Sequence, residues 1–117
     1  MENRVFENSD VLARFRTAVK TLTIEVLTSK DWQELEQYAN RVCPRLIELA
    51  MNVDPPLRTE ERRLCVLVLF GFKPNEISIL LNLSPSHVTM LRSRLHEKLF
   101  GCKGSAKEFD ERMWNLL

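Results

Sequence analysis

At 117 residues the chain is one domain, or one small domain with an appended subdomain, and an apolar fraction of 44% is enough for a core. No stretch approaches the ~20 apolar residues of a membrane span, and no signal-peptide pattern is visible at its start, so a cytoplasmic location is expected for the chain as given. The net charge of +1 would argue against a nucleic-acid partner if it were spread evenly.

In chain order, Asn8-Ser9-Asp10 can cap a helix whose apolar face is Val11, Leu12, Phe15, Val19 and Leu22. Thr28 precedes Asp31 by three, a capping-box spacing, and Trp32, Leu35, Ala39 and Val42 follow on one face. Pro44 begins or kinks the next turn, ahead of Leu46, Ile47, Leu49 and Ala50. Asn52-Val53-Asp54-Pro55-Pro56 is a linker, because two prolines disfavour helix and stiffen the connection. The division that follows is an N-terminal helical subdomain over 1–54 and a second unit over 57–117. The early helices either complete a core, with Trp32 inside it, or present Val11, Phe15, Val19 and Leu22 to a second chain.

Beyond the linker, Thr59 is the expected cap, followed by the acids Glu60 and Glu61 in a first turn where the helix dipole favours them. Leu64, Cys65, Val68 and Leu69 supply the core face, and Gly71 stops the helix. Pro74 opens a short helix carrying Ile77, Leu80 and Leu81, without a side-chain cap, since the preceding Lys73 cannot accept a hydrogen bond. Asn82-Leu83 interrupts it, and Ser84-Pro85 starts a longer helix. There Val88, Leu91, Leu95 and Leu99 form the buried stripe. Ser86, Thr89, Met90, Ser93 and Arg94 fall on the other side, with Arg92 and His96 at its flanks, and Gly101 is placed as a left-handed C-cap. Ser105 to Glu108 is a capping box for a last helix lined by Phe109, Met113, Trp114 and Leu117.

Short helix, tight turn and capped longer helix is the layout of a helix-turn-helix. Leu57, Glu61, Gly71, Glu76-Ile77, Ser84, Val88 and Lys98-Leu99 stand at spacings that resemble the LuxR/NarL-type C-terminal helix-turn-helix, with sigma-factor region 4 a looser likeness. Asp31-Trp32, Arg63-Leu64-Cys65, Gly71-Phe72, Arg94-Leu95 and Lys98-Leu99-Phe100-Gly101 look like the C-terminal region of bacterial regulators that carry tetratricopeptide repeats. The likeness to the helix-turn-helix covers less than half of the chain. It implies an all-α fold: a LuxR-like helix-turn-helix domain with an N-terminal helical extension and a C-terminal helix. It implies a transcriptional regulator that binds double-stranded DNA. In such families the last helix often makes a dimer contact, so Phe109, Met113, Trp114 and Leu117 are dimerisation candidates and a homodimer is a further candidate partner, while a late Trp on a terminal helix is equally consistent with docking onto its own domain. The chain departs from the pattern at Lys73, where a small capping residue is usual, and in a recognition helix poorer in lysine.

Charge distribution fits that expectation. Residues 57–103 hold Arg58, Arg62, Arg63, Lys73, Arg92, Arg94, Lys98 and Lys103 against only Glu60, Glu61, Glu76 and Glu97. Ser86, Thr89, Met90 and Ser93 are the expected base-edge contacts. Arg58, Lys73, His87, Arg92, Arg94 and Lys98 are the expected phosphate contacts, which position a protein without reading sequence. The alternative is a helix-turn-helix used for protein contact, which the neutral Thr89, Met90 and Ser93 would suit.

Other chemistry finds little to build on. Cys43, Cys65 and Cys102 are odd in number and widely spaced, and His87 and His96 lie on one helix without zinc-site spacing, so neither a disulfide framework nor a metal is expected. Cys65 reads as a small core residue. There is no phosphate loop, GxSxG or HExxH, hence no expected catalytic residue and no cofactor.

Overall fold

The computed structural model describes residues 10–117. The expected cap residues Asn8 and Ser9 lie outside that range. Seven α-helices occur among the described residues, and no strand. They are α1 (Asp10–Thr21), α2 (Ser29–Val42), α3 (Pro44–Met51), α4 (Thr59–Leu69), α5 (Pro74–Leu81), α6 (Pro85–Phe100) and α7 (Ala106–Trp114), with a 3-10 turn at Ile24–Val26.

Local signals account for most of the boundaries. Thr28 and Asp31 form the reciprocal capping box of α2: the Thr28 N–H donates to Asp31 at 2.8 Å, and the Asp31 N–H donates to the Thr28 hydroxyl at 3.2 Å. Pro44 is the first residue of α3. Ser105 and Glu108 build the same box for α7. The start of α4 is one residue earlier in cap position than expected. Arg58, not Thr59, is the N-cap, and its N–H donates to Glu61 Oε1 at 2.9 Å. The carboxylate that reaches back from the third helical residue decides this, because it closes onto the residue three before it. The Lys73 side chain accepts no bond from α5, as expected, yet Glu76 serves α5 in the same way by accepting from the Lys73 N–H at 2.7 Å.

α4 is the central element. Every residue from Leu64 to Phe70 is buried, and the helix packs against α2, α5, α6 and α7. One apolar cluster takes Val11, Leu12, Phe15, Trp32, Leu35 and Leu46 from before the proline linker together with Ile77, Val88, Leu95, Leu99, Phe109 and Met113 from after it. Each such side chain stabilises by about 1.5–3 kcal/mol relative to exposure. Trp32 is a core residue: Phe15 meets it edge-on with ring centroids 4.7 Å apart, and the Arg63 guanidinium lies 4.6 Å from its ring centre. Burial pushes the Cys65 thiol up to about 12, which fits an unreactive core cysteine. Val11 and Phe15 are buried in their own chain, while Leu22 ends α1 in the left-handed region (φ 57°) and is exposed. The first helix therefore completes the core rather than holding its apolar stripe open for a second chain.

Candidate nucleic-acid interface

The candidate surface is built on α5, the turn after it and α6. Asn82 takes the left-handed conformation (φ 55°), which a short polar side chain tolerates. The Leu83 N–H reaches back to the Ser78 carbonyl at 3.0 Å, and the Asn82 N–H donates to Ile79 at 3.3 Å. The Ser78 hydroxyl donates to the Leu83 carbonyl. The Ser78 and Ile79 carbonyls at the end of α5 are thus satisfied within the turn. Ser84 caps α6 by accepting from the His87 N–H at 3.2 Å. At the other end Gly101 (φ 77°) accommodates the left-handed C-cap. A rigid turn thus fixes α6 against α5, and Val88, Leu91, Leu95 and Leu99 are buried as the spacing predicts.

The opposite face of α6 carries Ser86, Thr89, Met90, Arg94 and Glu97, all exposed. Ser86 lies near the helix start, its hydroxyl 3.3 Å from that of Ser84. Thr89 Oγ1 donates to the Pro85 carbonyl of its own helix at 3.1 Å. Met90 is 44% exposed. Ser93 is half-buried, and its hydroxyl donates to the Gly104 carbonyl at 2.7 Å, so it serves the loop before α7 rather than an outside partner. Glu97 was not singled out by the sequence, although Ser86, Met90, Ser93 and Glu97 follow one another at steps of four, three and four and so form one line along the helix.

The expected phosphate contacts separate into two groups. Arg92 is a correction: it is 7% exposed, its Nε donates to Asp110 at 3.0 Å, and its Nη2 bonds the second oxygen of the same carboxylate. It ties α6 to α7. Lys98 is a second correction, because its ammonium donates at 2.7 Å to Glu61, a buried carboxylate. Desolvation of Glu61 would push its carboxyl up, but the Lys98 ammonium and the Arg58 N–H outweigh it and hold the group below the ordinary carboxylate range. His87 is half-buried, with Nε2 4.0 Å from Glu60. Arg58, Lys73 and Arg94 are exposed, and their side chains have no hydrogen-bond or ion-pair partner among the described residues.

His96 points inward, not to the flank of the open face. It is 1% exposed, with Nδ1 2.7 Å from the Cys102 carbonyl and Nε2 buried without a partner. A carbonyl can only accept, so Nδ1 carries the proton. Gly104 seals this ring: a Cβ there would stand 2.5 Å from the imidazole.

The dimerisation candidates also divide. Phe109 and Met113 are fully buried in the chain's own core, a correction to their expected role. Trp114 Nε1 donates to the Val68 carbonyl at 2.7 Å, which docks α7 on α4. Its ring remains 39% exposed, and Leu117 is 45% exposed. Among the described residues no group of three or more His, Cys, Asp or Glu is placed to hold a metal ion, and no helix is long and apolar enough to cross a membrane.

No family model, no curated protein and no solved structure matches the chain.

Proposed function

We propose that the chain is a DNA-binding regulatory domain in which α6 enters the major groove of duplex DNA. The observation that carries this reading is the locked turn between α5 and α6, which holds one face of α6 open while the other is buried. Two helices joined by such a turn, with the second exposed along its length, suit groove insertion. Ser86, Thr89 and Met90 are the base-edge candidates, and Arg94, Lys73 and Arg58 the phosphate contacts. Glu97 at the far end of the face can accept from a cytosine amino group. Trp114 and Leu117 are the side chains left available for a second copy.

A second reading, docking of a protein on the same face, is favoured by one observation. Arg92 and Lys98 are spent on carboxylates of their own chain, which leaves Arg94 opposed by Glu97 on α6. Salt separates the two readings, since DNA binding releases counterions and an apolar protein contact does not. The test is fluorescence anisotropy with random-sequence duplex DNA at two salt concentrations, comparing the chain with Lys73→Ala/Arg94→Ala. Salt-sensitive binding that the variant loses is expected. Absence of binding at low salt and roughly tens of micromolar protein, where non-specific DNA binding registers, overturns the proposal.

A further inference from the structure

The first helix brings Arg16 to the segment that leads into α5. Arg16 Nη2 donates to the Phe70 carbonyl at 2.9 Å, and its guanidinium carbon lies 4.6 Å from the centre of the Phe72 ring. Arg16 is thereby held across the segment that joins α4 to α5, and α1 packs against α5. Lys73, exposed, is the next residue after Phe72. Lys20 stands one turn beyond Arg16 on the same face of α1, also exposed, without a partner among the described residues. A guanidinium has five N–H donors, and the Phe70 carbonyl occupies one of them.

Acids offset this strip only in part. Asp31 and Glu34 are engaged by Arg14, which leaves α1 on a different face from Arg16. The Glu76 carboxylate accepts from the Lys73 backbone N–H. Arg16, Lys20 and Lys73 come from two segments more than fifty residues apart in the chain, with Arg16 bonded 54 positions away. Arg16 thus stands as a cationic donor beside the segment that leads into α5, the first helix of the helix-turn-helix.

We propose that α1 is part of the DNA-contacting surface, with Arg16 and Lys20 joining Lys73 on a run of backbone phosphates that flanks the groove occupied by α6. The inference rests on the DNA-binding function proposed above. It makes α1 a second, sequence-independent clamp on the duplex.

The test is the slope of log K against log salt for random-sequence duplex DNA, measured for the chain, Lys20→Ala, Arg16→Gln and Lys30→Ala as a control outside the strip. Lys20→Ala is expected to bind several-fold more weakly, with a slope shallower by about 0.9, the loss of one phosphate contact. Lys30→Ala is expected to keep the slope. Arg16 also packs on Phe72, so Lys20→Ala, which removes an exposed side chain with no hydrogen bond or ion pair among the described residues, carries the test if the Arg16 variant unfolds. Salt-sensitive binding by the chain with an unchanged slope in Lys20→Ala overturns the clamp and leaves the function of α6 standing. No salt-sensitive binding by the chain itself overturns both.

Discussion

Glu61 is a buried carboxylate that accepts from the Arg58 N–H at 2.9 Å and the Lys98 ammonium at 2.7 Å. Its folded-state carboxyl is held below its ordinary value of 4.5. Depressed in the folded state, it contributes stability that is present above that value and lost as pH falls through the lower folded one. Asp31, held down first by the Thr28 N–H, and Glu108, held down by the Ser105 N–H, act in the same direction. Glu61→Gln is expected to cost about 1–3 kcal/mol at neutral pH, the range for losing bonds to a charged group. The gap to the unmodified chain should narrow at acid pH, as protonation of that chain's Glu61 removes the ionised partner. Urea unfolding at both pH values checks this, and an equal gap at both would count against the ion pair.

Between elements, the pair Arg92–Asp110 decides how α7 sits on α6. It is nearly closed to solvent, with side-chain exposures of 8% and 13%. Removing one partner leaves the other charge uncompensated, so Arg92→Ala is expected to destabilise by about 3–5 kcal/mol, whereas an apolar pair at both positions costs far less. Thermal or urea unfolding of Arg92→Ala, Asp110→Ala and the double variant Arg92→Met/Asp110→Leu measures this. Single variants within about 1 kcal/mol of the unmodified chain would show the pair to be solvent-compensated. The consequence for binding work is direct. Under the proposed function, Arg92→Ala would lower DNA affinity by destabilising the fold, so Lys73 and Arg94 are the positions that would report on contact. Trp114 adds a second tie between elements through the Val68 carbonyl.

Across the whole molecule, the helices before and after the proline linker share one core. Phe15, Trp32 and Leu35 belong to the same buried cluster as Leu64, Leu67, Leu95 and Phe109. A chain reduced to residues 57–117 would expose the α4 face that α2 covers, and a chain so short has little other apolar area to bury in its place. It is expected to lose its cooperative thermal transition by far-ultraviolet circular dichroism. A sharp transition at a temperature near that of the full chain would mean that the second half stabilises itself.

The sequence by itself determined the all-helical class and most helix starts after the first, together with the buried stripes of α2, α4 and α6. These depend on interactions within three or four residues: the capping pairs Thr28/Asp31 and Ser105/Glu108, the prolines at first helical positions, and Gly101 beyond α6. Periodicity also separates a buried side from an open one, as Val88 and Thr89 do. Only the tertiary structure decided the residues at the edges of that stripe. Arg92, Ser93, His96 and Lys98 lie where helical spacing permits either solvent or a neighbouring element. Their partners Asp110, Gly104, Cys102 and Glu61 come from 6 to 37 positions away. Trp114 on Val68 and Arg16 on Phe70 reach further still. A charged side chain at such an edge is drawn to whichever carboxylate or carbonyl the packing brings near. Local spacing cannot encode that choice, and so the candidate site was legible as a face but not as a set of free groups.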